Sequence, residues 1–260
     1  MTRFRLATIN VHSFNNPSDY ENNIEELISI LKPLDLDLIA VQEIQKNNHW
    51  SNFCKHLSLP FTHIGSGGGN YYGIGIASRY PIISPYDQQT SFASVGGNRF
   101  FIKCCLGGDH PFVKDRIFAV THLDHLNEND RLKQIKEFSP VGHNVNILMG
   151  DMNALTRDDY SDDYYQKNLV QVREKSNWET PCFDLSWLLT TRWAFQDAFK
   201  QINPQLKDES VATSRYGTRI DYIYWRPRDN DEWKLKDCFI VDTKKATDHN
   251  AVVAEFEQKS

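Results

Sequence analysis

Polar side chains stand where apolar runs stop: Asn10 after "RFRLATI", Glu43 in "LDLIAVQEI", His122 in "FAVTHLDH", Asp151 with Asn153 in "ILMGDMNAL", and Asp248 with His249 in "ATDHNAV". Asp221 sits inside a further apolar run, "RIDYIYW", where a carboxylate is costly to bury without a partner. Asp151 and Asn153 are two positions apart. The two-residue period of an extended segment turns both to one side, where they can converge on one metal ion or one phosphate. Metal-assisted phosphoester hydrolysis is the chemistry that such groups share. Mg²⁺ takes hard oxygen ligands, commonly one or two carboxylates plus water and substrate phosphate, and Glu43 with Asp151 or Asp248 meets that demand. A histidine beside a buried aspartate stabilises charge on phosphoryl oxygens or moves a proton, with the aspartate fixing its tautomer; His249 and Asp221 suit those roles.

The elements that must position these groups follow from periodicity. "RFRLATIN" reads as a strand entering a core. A helix follows, with Ser18 as N-cap, Glu21 three residues on, Ile24, Leu27, Ile28 and Leu31 at helical spacing, and Pro33 as the stop. "LDLIAVQEI" is a buried strand. The glycine-rich "GSGGGNYYGIGIASRYPI" lacks the GxxxxGK[ST] order of a P-loop and predicts a flexible turn leading into a strand at 72–78. Further strands are expected at 100–106, 115–121, 145–149, 219–225, 233–241 and 251–256, with a helix at 128–138. "PCFDLSWLLTTRWAFQDAF" looks helical and then turns. The strand, helix, strand opening argues for a layered α/β fold, in which ligands lie at strand ends. No repeat or shift in composition divides the chain, so one domain over 1–260 is expected.

The chain has 260 residues, 40% hydrophobic, 24% charged and 12% aromatic, which describes a soluble globular protein with a sizeable core. Its net charge of -5 provides no overall basic field, so a nucleic-acid substrate would need a local patch. Arg215, Tyr216, Trp225, Arg226 and Arg228 gather near Asp221 as candidates, and Arg219, on the same strand face as Asp221, is the most direct phosphate contact. Asp158, Asp159, Asp162 and Asp163 read as a solvated loop face; bordering the site, they would repel an extended polyanion and favour a small or terminal phosphoester. His122 and His125, with His12 and His249, invite a zinc reading, but neither HExxH nor HxHxDH is present. Five cysteines without CxxC spacing, no signal-like start and no stretch long enough to span a bilayer point to a reducing intracellular compartment, cytoplasmic or nuclear; a monomer is expected.

"ATINVHSF", "LDLIAVQEI", "VTHLDH", "ILMGDMNAL", "RIDYIYW" and "ATDHNAV", in that order over nearly the whole chain, resemble the endonuclease/exonuclease/phosphatase superfamily. The resemblance implies a four-layered α/β sandwich, two packed mixed β-sheets flanked by helices. It also implies hydrolysis of a phosphodiester or phosphomonoester by in-line attack of an activated water, with Mg²⁺ or Mn²⁺ as cofactor and a phosphoester, DNA or RNA among them, as substrate. By the same resemblance Glu43 is the metal-binding glutamate, Asn10 organises metal and phosphate, and Asp248 lies near the metal. Asp151 and Asn153 orient and activate the water, His122 contacts phosphate, and Asp221 orients His249. His12 departs from the pattern: repair endonucleases and tyrosyl-DNA phosphodiesterases carry an aspartate there, and a neutral imidazole replaces a hard-oxygen ligand poorly. His12 is therefore expected to touch substrate. A phosphatase or phosphodiesterase acting on a small molecule or lipid head group, or a silent binding module of the same fold, are the alternatives; only the His12 position departs, which favours catalysis.

Overall fold

Alternation along the first strand shows how the layers arise. In the computed structural model, which describes residues 2–65, 72–94 and 96–259, Phe4 and Leu6 pack into a core shared with Ile102, Val120, Met149 and Ile223. Their neighbours Ala7 and Ile9 face the opposite way, against Ile24, Leu27 and Phe53. A strand buried on both faces must have a layer on each side.

Twelve strands follow this logic: β1 (Arg3–Asn10), β2 (Leu38–Ile44), β3 (Phe61–Gly65), β4 (Gly73–Ser78), β5 (Ile82–Gln89), β6 (Phe100–Leu106), β7 (Ile117–His122), β8 (Ile147–Asp151), β9 (Gln196–Asp197), β10 (Asp221–Trp225), β11 (Trp233–Val241) and β12 (Ala251–Gln258). One sheet has the order β11-β12-β1-β2-β4-β3 and the other β5-β6-β7-β8-β10-β9. Each is mixed, with β1 parallel to β2 and β7 parallel to β8. Helices α1 (Ile24–Leu31) and α2 (Asn48–His56) cover the outside of the first sheet. The outside of the second, with Leu148, Tyr222 and Tyr224, is covered by α3 (Glu128–Phe138) and by Leu185 and Leu189. The four layers are those implied by the resemblance. Among the described residues, no helix is long and apolar enough to cross a membrane.

Several local expectations change. Ser18 caps no helix: it lies in a loop closed by Asn16 N–H donating to Glu21 O at 2.7 Å and Tyr20 N–H to Asn16 O at 2.8 Å, and α1 starts only at Ile24. β3 and β5 gave no sequence signal because each is the edge strand of its sheet, β5 almost wholly exposed and β3 buried only toward Gly65. The strands expected from 115, 145 and 219 begin instead at Ile117, Ile147 and Asp221. Residues 66–71 of the glycine-rich stretch lie outside the described residues.

Gly150 in β8 has φ of +140°, and a Cβ there would sit 1.9 Å from Thr121 O on β7. Glycine is what lets these two strands close. Gly150→Ala is therefore expected to cost about 3 kcal/mol, overpacking and backbone strain acting together, measured as a lower urea midpoint.

Candidate active site

The inner faces of the two sheets carry their apolar alternation into polar residues at one end of the strands. On β1, Phe4 and Leu6 are followed on the same face by Thr8 and Asn10; on β7, Phe118 and Val120 by His122; on β8, Ile147 and Met149 by Asp151. β10 runs the other way, so Asp221 precedes Ile223 and Trp225 on that face. Register completes the alignment: His122 pairs with Asp151, and Asp151 with Asp221, in three adjacent strands. A slip of one residue would turn any of these groups to the wrong side.

Glu43 reaches the cluster by a different route. Strict alternation on β2 would place it with Ile39 and Val41 on the helix-covered face. Instead, Glu43 has φ of +58° and lies where the pairing with β4 shifts between Gln42 and Ile44. This bulge re-aims the carboxylate, which accepts a hydrogen bond from Asn10 Nδ2 at 2.9 Å. The same amide nitrogen donates to Asp151 Oδ2 at 3.2 Å, so Asn10 joins groups from both sheets. The loop before β12 delivers Asp248 and His249. It is fixed by Thr247 Oγ1 donating to Asn10 O at 3.0 Å and by a β-bridge between Ser214 and His249.

Asp151 is the hub. Its Oδ1 accepts the Asn153 backbone N–H at 2.9 Å, and its Oδ2 lies 3.5 Å from His122 Nε2 and 3.9 Å from His249 Nε2. Asn153 adopts φ of +49° and its Nδ2 donates to Leu123 O at 3.1 Å. His249 Nδ1 is 2.8 Å from Asp221 Oδ2. His12 Nδ1 sits between two carboxylates, 3.8 Å from Glu43 Oε2 and 3.6 Å from Asp248 Oδ1.

Burial and the facing Asp221 carboxylate push Asp151 up to about 7, against the opposing pull of His249 and Asn10. Burial alone would lower His249, but Asp221, then Asp151 and Asp248, hold it up at about 10, so the ring is an imidazolium at neutral pH. His122 goes the other way: burial, then Arg99 and His249, depress it well below the usual histidine range, so this ring is neutral.

Nine of the ten residues singled out in the sequence meet here; Arg219 does not. It is fully buried, its guanidinium donating to Asp159 at 2.8 and 3.1 Å and to Asp197 at 2.9 and 2.7 Å, and it lies over the Tyr222 ring. The reason is that β10 begins at Asp221, so the face shared by alternation does not extend back to Arg219. Asp159 is correspondingly a buried partner, not a solvated loop residue, and Trp225 belongs to the core between the sheets. Arg99 was missed by sequence reading. It precedes β6, lies within electrostatic reach of Asp124, Asp151 and Glu43, donates from Nη2 to His125 Nδ1 at 2.9 Å, and keeps a buried Nε without a partner among the described residues. A lone arginine between a glycine pair and a strand gives no periodic signal.

The donor set fits a hard divalent cation. Four carboxylates, Glu43, Asp151, Asp221 and Asp248, crowd one cleft; Asp221 Oδ1 is buried without a partner among the described residues, and the Glu43 and Asp248 oxygens beside His12 are partly exposed. Asp151, Asp221 and His249 also bring ligand atoms within 4.8 Å of one another. However, His249 Nδ1 is engaged by Asp221, so those three form a charge-paired group, and Glu43, Asp248 and Asn10 are the further oxygen donors that could hold a metal.

The sequence profile described as the Endonuclease/Exonuclease/phosphatase family matches residues 7–249. No curated protein matches the chain. Among solved structures, an endonuclease/exonuclease/phosphatase from Beutenbergia cavernae superposes with a TM-score of 0.74 at 14% identity, covering 100% of this chain and 72% of that one. A variant of the 3′ phosphatase NExo from Neisseria, bound to product DNA hairpin, gives 0.66 at 18% identity, covering 98% and 99%. D. rerio TDP2, humanized by 14 mutations, gives 0.66 at 16%, covering 99% and 100%. At these identities the likeness is one of fold.

Proposed function

Because the chain belongs to the endonuclease/exonuclease/phosphatase family, we propose that it is a divalent-metal-dependent hydrolase that cleaves a phosphodiester or phosphomonoester by in-line attack of an activated water. The observation that carries this reading is the surroundings of Asp151: a buried carboxylate raised toward neutral pH, with a neutral imidazole at 3.5 Å and a charged one at 3.9 Å.

The two histidines have different work because their environments differ. His249, already protonated through Asp221, has no vacant nitrogen to take a proton from water, so Asp151 is the base. His249 presents positive charge to the phosphoryl oxygens as charge develops there. Neutral His122 is suited to donate a hydrogen bond to a phosphate oxygen, and the Asn153 backbone fixes the Asp151 carboxylate at 2.9 Å. Arg99, with its unpartnered Nε, is suited to a phosphate oxygen. Glu43, Asp248 and Asn10 would hold Mg²⁺ or Mn²⁺, which when bound polarises the phosphate. A nucleic-acid or nucleotide substrate is favoured, since a neighbour of the same fold is seen with a DNA product.

The test is a panel of abasic DNA, single strands, 5′-tyrosyl DNA, poly(A), inositol phosphates, sphingomyelin and bis-p-nitrophenyl phosphate. Turnover of at least one with Mg²⁺ or Mn²⁺, abolished by EDTA, is expected; ligand binding without turnover of any would replace the enzyme with a binding module.

Metal should also register in stability. In EDTA, Asp151 ionises near 3.9 in the unfolded chain and near 7 in the folded one, so the folded state holds a proton that the unfolded state has lost, and stability falls as pH rises from about 4 to about 7. Magnesium is therefore expected to raise the thermal midpoint more at pH 8 than at pH 5.5. An equal rise at both values would mean that the ion does not sense this carboxyl.

A further inference from the structure

Two aromatic rings stand beside the turn that is tied to the Asp248–His249 segment, with no core to fill. Trp178 is 45% exposed and Tyr216 is 49% exposed, and they meet edge to face with centroids 5.1 Å apart and planes at 86°. Scattered exposed aromatics are ordinary, but these two touch each other and are held in place. The Trp178 N–H donates to Arg173 O at 2.8 Å, and the next residue, Glu179, is ion-paired to Arg131 and accepts the backbone N–H of Glu128 at the start of α3. Tyr216 lies at the tip of a tight turn in which Gly217 N–H donates to Ser214 O at 3.1 Å, Gly217 has φ of +73°, and Tyr164 Oη donates to Gly217 O at 3.1 Å.

The turn is tied directly to the reacting groups. Ser214 bridges His249, and Arg215 N–H donates to Asp248 O at 2.8 Å. The Arg215 side chain lies over the Tyr216 ring at 4.9 Å, donates to Tyr216 Oη at 2.7 Å, and comes within 3.8 Å of Asp248 Oδ2. An aromatic corner braced by a guanidinium thus sits two residues from the segment that fixes His249.

We propose that Trp178 and Tyr216, braced by Arg215, form a stacking platform for a nucleobase of a single-stranded nucleic acid whose phosphoester is cleaved at Asp151. The proposal takes the phosphoesterase reading as its premise and names its substrate class. A flat π-face matches a base and has little to offer an inositol ring or a choline-type head group set among several carboxylates. An inositol polyphosphate would need several cations. Here Arg215 faces Asp248, and Tyr164, which is bonded to the same turn, lies within electrostatic reach of Asp208 and Glu209. Bases within a duplex have their faces covered by stacking, so the platform selects unpaired or terminal nucleotides.

The experiment compares a single-stranded oligonucleotide with a tetrahydrofuran polymer of equal phosphate number that lacks bases. KM is measured in Mg²⁺, and binding by fluorescence anisotropy in EDTA. The intact protein is expected to favour the base-bearing strand about tenfold, and Trp178→Ala and Tyr216→Ala to bring that ratio close to one, while Tyr216→Phe, which keeps the ring, preserves it. Equal affinity of the intact protein for both polymers, or an undiminished ratio in both alanine variants, overturns the proposal. The two readings fail separately. Hydrolysis of bis-p-nitrophenyl phosphate without base discrimination removes the platform and keeps the enzyme. Base discrimination in anisotropy with no hydrolysis of any substrate keeps the platform and removes the enzyme.

Discussion

Asp151→Asn will lower turnover by about 10³–10⁴-fold while leaving the thermal midpoint unchanged or higher. The amide keeps the shape of the carboxylate and its oxygen can still accept the Asn153 N–H, but it can no longer take a proton from water. Stability does not suffer, because the wild-type pair places two buried carboxylates, Asp151 and Asp221, opposite each other on adjacent strands. Removing one charge relieves that opposition. kcat measured beside a melting curve decides the matter: normal turnover in Asp151→Asn would move the base elsewhere, and a large fall in midpoint would make the residue structural.

Arg219→Ala will do the reverse, costing about 3–5 kcal/mol of stability. Its guanidinium neutralises Asp159 and Asp197, and Asp159 has no exposure to water. Lys200, 3.3 Å from Asp159, covers only part of the deficit. Lysine at 219 would rescue little, since one ammonium cannot reproduce bidentate contacts to two carboxylates. Urea unfolding gives the cost, and KM gives the discriminating readout: a phosphate-binding arginine would raise KM in the folded fraction, whereas this buried strut leaves it unmoved.

Arg219 also shows where the sequence ceased to be legible. The inner-face alternation of β1, β7, β8 and β10 was readable, so Asn10, His122, Asp151 and Asp221 could be expected at one end of the strands. The layers followed from the same pattern together with the resemblance. Alternation failed where the chain left it. Glu43 reaches the cluster through a left-handed bulge that no residue type announces, and Arg219 lies just before its strand begins, so the face it should share does not exist. β3 and β5 escaped notice because exposed edges need no apolar stripe, and Arg99 because one cation beside a strand has no spacing to betray it. Ser18 had the chemistry of a cap, but backbone hydrogen bonds of the preceding loop claimed the segment first.

β12 lies between β1 and β11, with Arg3 facing Glu257 and Thr8 facing Val252. One side of β1 therefore stays unpaired until β12, distant in sequence, folds back onto it. His249 arrives with it. Sheet closure and assembly of the cluster around Asp151 are thus one long-range event, which favours slow, cooperative folding over piecewise assembly.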